Sequence, residues 1–244
     1  CILYGSIVCY PGMDMKFPCV FYPSVMESEE ILVFFHGGGW VSGTIDTYSR
    51  TCAGLANFIG RRVVSVDYRL APEFPFPTGL EDCYAAVREL NLHREIFHTA
   101  VPSVVLAGDS AGGNLSAAVS LLAAERGEFS VEKQILIYPA VYYDHTAGSP
   151  FSSVKENGEG YLLTAKKVQE YMELYSPDLN QRKSPYVAPI LAADLSGQPE
   201  TLIITAEFDP LRDEGEAFGD KLRKAGCMVW VKRFPHMPHG FFSL

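Results

Sequence analysis

The chain has 244 residues, of which 48% are hydrophobic and 12% aromatic, so it can form a folded core and is not of the disordered class. Its 29 acidic residues outnumber its 20 basic residues, and the formal charge of −9 argues against nucleic acid or an anionic membrane as a partner. The length fits one large α/β domain, and the charge favours a neutral or cationic small molecule as a ligand.

Two consecutive strands are predicted near the start of the chain, over residues 15–22 and 31–35. The sequence His36-Gly-Gly-Gly-Trp40 follows the second strand directly. Three glycines leave backbone N–H groups uncovered by side chains, and fixed N–H groups stabilise the negative charge of a tetrahedral intermediate. We therefore predict an oxyanion hole here, with a flexible loop of no function as the alternative.

The next segment predicts a helix over residues 47–59 and a β-branched strand from Arg62 to Tyr68. The prolines between Phe74 and Pro77 exclude a helix there, so a loop is expected. Thr78 and Glu81 have the spacing of a capping box, which marks the start of a second helix. The inward residues of that helix are expected to be Cys83, Tyr84, Val87 and Leu90.

A serine between glycines lies where an apolar strand meets a helical pattern. The strand is predicted from Val104 onward, and Gly108-x-Ser110-x-Gly112 fits the nucleophile elbow, a sharp turn that exposes the serine hydroxyl above the sheet. The helix after it is predicted to end at Gly127. Its apolar residues recur at helical spacing: Leu115, Ala118, Val119, Leu122 and Ala123.

The alternation of strands and helices lapses after a buried strand predicted from Gln134 to Tyr138. Residues 141–186 contain many loop residues and one amphipathic helix, which starts at Thr164. Loops this long inside a compact domain are usually functional, so we interpret the segment as a cap over the active site. A packing subdomain is the alternative.

The alternation then resumes with a strand from Thr201 to Ala206, a helix that ends near Ala225 and a strand from Met228 to Phe234. Strands alternating with helices predict an α/β fold, with a mostly parallel central sheet, helices on both faces and the cap-like insertion at 141–186 within a single domain, 1–244. Functional sites of such sheets lie at the carboxyl ends of the strands.

Four residues are expected at that edge: Gly38, Ser110, Asp209 and His239. A serine hydroxyl needs a base to become a nucleophile, and the base needs a carboxylate to orient it. The order Ser110, Asp209, His239 is the chain order of the α/β-hydrolase triad.

Other residues compete for two of these roles. His239 is preferred to His236 as the base because a glycine follows it and it lies further beyond the last strand. Asp209 is preferred as the acid to Glu207, which alternation places in the strand, and to Asp213, which starts the next helix. The remaining histidines are assigned to other places. His36 is expected to support the glycine loop, His145 lies in the insertion, and His93 and His98 lie beyond a helix end.

Several motifs together resemble the hormone-sensitive-lipase-like family of α/β-hydrolase carboxylesterases. They are His36-Gly-Gly-Gly-Trp40, Asp67-Tyr-Arg-Leu-Ala-Pro-Glu73, Gly108-Asp-Ser-Ala-Gly-Gly113, Asp209-Pro-Leu-Arg-Asp213 and His239-Gly-Phe241. The resemblance implies Ser110 as nucleophile with Asp209 and His239, and hydrolysis of carboxylic esters without a cofactor or metal. The oxyanion donors it implies are Gly38, Gly39 and Ala111, with Gly37 less firmly assigned.

Family members usually carry cap helices before the glycine loop and a helix after the histidine, whereas here the loop begins at residue 36 and the chain ends at residue 244. We expect either a fragment or a reduced cap, and either case leaves the stability and the shape of the pocket open. The pocket is expected to be walled by aromatic residues, with Trp40, Tyr161 and Phe241 as substrate-binding residues and Phe151, Tyr171 and Tyr175 near them. A preference for short-chain esters follows.

Two other functions stay open: an amidase or peptidase, which would share every motif, and a non-catalytic small-molecule receptor on the same scaffold. The six cysteines show no redox or zinc spacing and are expected to be small core residues in a reducing compartment. No membrane span or signal peptide is predicted, so a soluble cytoplasmic protein is expected, with a homodimer left open.

Overall fold

The structure is a computed structural model that describes residues 6–7, 19–22, 30–92 and 103–243. His93 and His98, Cys1 and Cys9, and the first part of the strand predicted at 15–22 lie outside the described residues.

An eight-stranded sheet with the order β1-β2-β4-β3-β5-β6-β7-β8 forms the centre of the molecule. From β4 to β8 along this order every neighbouring pair is parallel, whereas β1 and β2 pair antiparallel at one edge. The mostly parallel α/β sheet is therefore confirmed. The strands are β1 Ser6–Ile7, β2 Cys19–Tyr22, β3 Glu30–Phe35, β4 Arg62–Val66, β5 Ser103–Asp109, β6 Lys133–Ile137, β7 Glu200–Phe208 and β8 Val229–Pro238.

Helices cover both faces of this sheet, with more helices on one face than on the other among the described residues. The helices are α1 Ser49–Ile59, α2 Thr78–Leu92, α3 Ala111–Arg126, α4 Ser152–Glu156, α5 Ala165–Tyr175, α6 Leu179–Arg182 and α7 Arg212–Lys224. One face packs against α2, α3 and α7, and the other packs against α1 among the described residues. On the α1 side, the cross-strand row that passes through Ile135 and Leu202 ends at Trp230, which is 50% exposed.

The elbow helix α3 is buried on all sides over its first thirteen residues, Ala111 to Ala123. The predicted apolar positions are buried, and Ser116 and Ser120 on the opposite side are buried too. The helix contacts the sheet, α2 and the 3₁₀ turn Pro189–Leu191, so its first thirteen residues have no side that faces water. Ser116 accommodates this burial by donating its hydroxyl to the carbonyl of Gly112 at 2.9 Å.

The insertion contains three short α-helices, where the sequence predicted one. The predicted helix is α5, and Thr164 caps it by accepting a hydrogen bond from the backbone N–H of Lys167. The additional helices α4 and α6 have five and four residues, too few to show a helical period in the sequence. The last strand also runs further than predicted, to Pro238.

Cys19, Cys52 and Cys83 are buried in the core as expected. Within the described part of the chain, no helix combines the length and apolar character needed to cross a bilayer.

Truncating the centre of α3 tests the packing of this core. Leu115→Ala removes a side chain with 0% exposure. The cavity left behind should lower the free energy of unfolding by ~2–5 kcal/mol, measured by urea denaturation. Leu92→Ala is the matched control, because Leu92 is 62% exposed. Equal losses in the two variants would contradict the burial of α3.

Candidate active site

Three side chains from separate parts of the chain form one hydrogen-bonded line at the carboxyl edge of the sheet. The hydroxyl of Ser110 lies 3.0 Å from Nε2 of His239, and Nδ1 of His239 lies 2.7 Å from Oδ2 of Asp209. A carboxylate can only accept, so Nδ1 carries the proton and Nε2 is left to accept from the serine. Asp209 is fully buried, and His239 is 8% exposed.

The elbow holds Ser110 in a strained backbone conformation, with φ 55° and ψ −116°. Its N–H donates to the carbonyl of Ile137 at 2.8 Å, which ties the turn to the end of β6. Side chains at the flanking glycines would strike neighbouring backbone: a Cβ on Gly112 would overlap the carbonyl of Phe35. The two glycines are therefore required by close packing around the strained turn.

The turn after β7 that carries Asp209, here called the acid turn, is held by hydrogen bonds from two sides. Within the turn, Oδ1 of Asp209 accepts a hydrogen bond from the N–H of Leu211 at 2.9 Å. From the insertion, the amide of Asn157 donates to the carbonyls of Glu207 and Asp209. The hydroxyl of Ser153 on α4 also donates to the carbonyl of Pro210 at 2.8 Å. The carboxylate of Asp209 therefore has little freedom to leave His239.

The glycine loop leaves some of its N–H groups free and uses others. Gly38 and Gly39 have φ of 115° and 63°, conformations that side chains disfavour. Within the described residues, the N–H groups of Gly38, Gly39 and Ala111 donate to no protein acceptor. The N–H of Gly37, in contrast, donates to Oδ1 of Asp109 at 2.8 Å and lies 3.2 Å from the hydroxyl of Tyr48. The prediction of Gly37 as an oxyanion donor is therefore wrong, because its proton is already engaged.

The carboxylate of Asp109 links the elbow to the glycine loop, a role that the sequence analysis did not identify. Besides Gly37, it accepts a hydrogen bond from the hydroxyl of Tyr48 at 2.8 Å, and the hydroxyl of Tyr138 lies at 3.4 Å. Burial raises the pKa of Asp109 from 3.8 to about 6, although the hydrogen bond from Tyr48 and the charge of His239 act in the opposite direction.

The other described histidines lie outside this line. His36 is buried under the glycine loop, where its ring stacks on Tyr68 with centroids 4.4 Å apart, and burial lowers its pKa. His145, in the insertion, pairs through Nε2 with Glu214 at 2.7 Å. The side chain of His236 is 85% exposed, and its Nδ1 lies 3.7 Å from Oε2 of Glu207.

A cavity of about 190 Å³ opens beside Ser110 and His239. Trp40 lines it as predicted, but Tyr161 and Phe241 do not. Tyr161 stacks on Phe208, with centroids 5.1 Å apart, and Phe241 packs against Tyr138 and Phe234. The other apolar residues that line the cavity are Ala140, Leu163, Val168, Tyr171 and Leu211. Of these, only Tyr171 was predicted to lie near the pocket.

Helix α5 lines the cavity through Val168 and Tyr171 and contacts the glycine loop directly. A Cβ on Gly39 would overlap the ring of Tyr171, so the loop and the helix are in close contact. One turn further, Tyr175 stacks on Trp40 with centroids 4.6 Å apart and planes 5° apart. Phe151 does not line the cavity, and its ring packs against that of Tyr142.

The arrangement supplies the parts needed for acyl transfer. The serine can pass its proton to His239, and the buried carboxylate of Asp209 can stabilise the resulting imidazolium. Gly38 and Gly39, whose N–H groups have no acceptor among the described residues, line the same cavity as the serine. The cavity beside the serine is small and largely apolar. It suits a small substrate with an electrophilic carbonyl carbon.

Known proteins with similar sequences are described as ester hydrolases. The profile of the family described as alpha/beta hydrolase fold matches residues 32–243. The "Carboxylic ester hydrolase LipN" of Mycobacterium tuberculosis is 39% identical over 241 residues, which cover 96% of this chain and 63% of that protein. The "Arylesterase" of Saccharolobus solfataricus is 35% identical over 239 residues, covering 94% of this chain and 74% of that protein. The chain therefore spans less than two thirds of the length of LipN.

Solved structures show the same similarity. The hyperthermophilic esterase from the archaeon Pyrobaculum calidifontis superposes with a TM-score of 0.90 at 39% sequence identity. The superposition covers 99% of this chain and 79% of that protein. Carboxyl esterase 2 of Tuber melanosporum also gives 0.90, at 35% identity, with 98% of this chain and 78% of that protein covered.

The raised pKa of Asp109 predicts a pH dependence of stability. The folded state binds a proton more tightly than the unfolded state, so this residue's contribution is fully present below pH ~4 and is lost as the pH rises through about 6. Relative to Asp109→Asn, the wild type should lose up to ~3 kcal/mol of unfolding free energy between pH 4 and pH 7, measured in urea.

The exposed Asp46 provides the matched control variant, Asp46→Asn. A constant difference between wild type and Asp109→Asn across this pH range would show that the buried carboxyl does not titrate there.

Proposed function

Because the chain belongs to the hormone-sensitive-lipase-like carboxylesterase family of the α/β-hydrolase fold, we propose that it is a serine hydrolase that cleaves short-chain carboxylic esters. The observation that carries the proposal is the hydrogen-bonded line from Ser110 through His239 to Asp209. Next to it are the N–H groups of Gly38, Gly39 and Ala111, which have no acceptor in the described part of the chain.

In the first half of the proposed reaction, Oγ of Ser110 attacks the ester carbonyl carbon while Nε2 of His239 takes the hydroxyl proton. Asp209 stabilises the imidazolium. The carbonyl oxygen gains the electron pair and is stabilised by the N–H groups of Gly38, Gly39 and Ala111. When the intermediate collapses, the bond to the alcohol oxygen breaks, His239 returns the proton to that oxygen, and the alcohol leaves.

In the second half, a water molecule attacks the acyl group on Ser110. Nε2 of His239 takes one proton from the water and then gives it to Oγ of Ser110 as the acyl–serine bond breaks. The carboxylic acid leaves, and the serine is regenerated. The hydrogen bond between Nδ1 and Asp209 keeps the imidazole in the tautomer that both halves require.

The size of the cavity supports short acyl groups as the substrate class. Its volume of about 190 Å³ is below the usual range of ligand pockets, and Tyr171, Val168 and Leu211 close its apolar side. A buried methylene contributes up to ~0.8 kcal/mol only while the pocket has room to bury it. We infer that kcat/KM rises over the first few carbons and then falls.

Hydrolysis of p-nitrophenyl acetate and labelling by a fluorophosphonate test the mechanism. Ser110→Ala should abolish labelling, and His239→Ala should lower kcat by ~10⁴-fold or more, the size expected when a triad member is lost. His236→Ala is the matched control and should retain most of the activity, because its side chain is exposed.

If the intact protein neither labels nor hydrolyses esters, a receptor function on the same scaffold replaces the proposal. Faster cleavage of the matching p-nitroanilide would favour an amidase. A larger loss in His236→Ala than in His239→Ala would identify the wrong histidine as the base.

A series of p-nitrophenyl esters from acetate to palmitate tests the substrate class. The maximum of kcat/KM is expected between the acetyl and about the hexanoyl ester, because the size of the pocket limits how many methylenes can be buried. Val168→Ala removes two methyl groups from the cavity wall and should move the maximum to longer chains.

Leu174→Ala, on the same helix but 41% exposed, should leave the maximum unchanged. A wild-type maximum at the decanoyl ester or beyond would show that α5 roofs a long channel rather than a short pocket.

A further inference from the structure

The pairing between β7 and β8 breaks its register immediately before the acid and the base of the site. Ala206 pairs with Phe234, but the next pair joins Phe208 to Pro238. A single residue of β7, Glu207, therefore faces three residues of β8: Pro235, His236 and Met237. This is a bulge with two extra residues on the edge strand of the sheet.

The bulge decides which residue of β8 reaches Asp209. With the register restored at Phe208 and Pro238, the next residues of the two strands are Asp209 and His239. An uninterrupted ladder would instead pair Phe208 with His236. His239 would then lie two residues, or ~6–7 Å along the strand, beyond its present partner.

The side chain of Glu207 occupies the place of the missing ladder bond. Its Oε2 accepts the backbone N–H of His236 at 2.6 Å. His236 has φ 62°, an unfavourable conformation for a residue with a side chain, so the bulge needs such a fixed contact to persist. The backbone of Glu207 is itself held, since its carbonyl accepts from Nη1 of Arg212 and from the amide of Asn157.

The His236 ring makes a much weaker contact with the same carboxylate. Its Nδ1 lies 3.7 Å from Oε2, and the ring is 85% exposed, so any ion pair there is surrounded by water. The backbone bond and the ring contact can be separated experimentally, because replacing the side chain of His236 leaves its N–H in place.

We propose that Glu207 is a positioning residue: by binding the N–H of His236 it holds the β8 bulge and so sets the position of His239 against Asp209 and Ser110. The proposal rests on the proposed function for its kinetic consequence. It requires side-chain length and an acceptor oxygen at residue 207, and it does not require the negative charge.

Four variants separate length, charge and ring contact. Glu207→Gln keeps an acceptor oxygen at the same reach, and Glu207→Asp keeps the charge but is one methylene too short. Glu207→Ala removes the acceptor oxygen and the charge, and His236→Ala removes only the ring.

We expect Glu207→Asp and Glu207→Ala to lower kcat for p-nitrophenyl acetate by ~10- to 10²-fold with little change in KM, since misplacing a catalytic group by about 1 Å has that effect. Glu207→Gln and His236→Ala should stay within about threefold of wild type, since both keep the bond.

A second readout does not depend on turnover. The proton that Nδ1 of His239 shares with Asp209 gives a downfield resonance in the NMR spectrum, and circular dichroism reports whether each variant is folded. In Glu207→Asp and Glu207→Ala the resonance should broaden or move upfield while the fold persists, and in the other two variants it should be unchanged.

Full activity and an unchanged resonance in Glu207→Asp would overturn the proposal, and so would a loss in Glu207→Gln greater than that in Glu207→Asp. A loss in His236→Ala equal to that in Glu207→Ala would assign the effect to the ring and likewise overturn it. If the wild type hydrolyses no ester, the proposed function fails, whereas the resonance alone still decides the role of Glu207.

Discussion

The carboxylate of Asp109 fixes the distance between the two loops on which the site depends. It belongs to the residue before Ser110, and it accepts the N–H of Gly37, 72 residues earlier in the chain. Under the proposed function, the donors Gly38 and Gly39 are thereby held at a set position relative to the serine before any substrate arrives. Such preorganisation stabilises developing charge because no dipoles must reorient during the reaction. Three donors at one carboxylate offset part of the unfavourable burial of the group.

The insertion packs against two separate parts of this site. Its α4 end binds the acid turn through Ser153, and Asn157 binds the carbonyls on either side of Phe208. Its α5 end packs on the glycine loop and stacks Tyr175 on Trp40. The turn that carries Asp209 and the loop that carries Gly39 thus both pack against the same segment. Changes in the insertion should therefore affect reaction rate as well as the choice of substrate.

Prediction from sequence succeeds where the backbone requirement of a residue is specific. The glycines around Ser110 and after His36 are needed for close approach or positive φ, and strand and helix periods surround them, so the fold and the loops of the site could be predicted. It fails where the answer depends on a distant partner. Nothing local shows that Gly37 donates to Asp109, or that Tyr161 stacks on Phe208 outside the cavity. The bulge in β8 was missed because register is a property of two strands together.

The strained turn at Ser110 has a consequence for the history of such a chain. A φ of 55° at a non-glycine residue costs on the order of 1–3 kcal/mol, a large share of the stability of an ordinary domain. Selection for stability alone would replace the serine by glycine or relax the turn. Among descendants of this chain, those that have abandoned catalysis should lose the serine early and become more heat-resistant as they do so. Under the proposed function, the chemistry of Ser110 is what keeps a strained residue at this position.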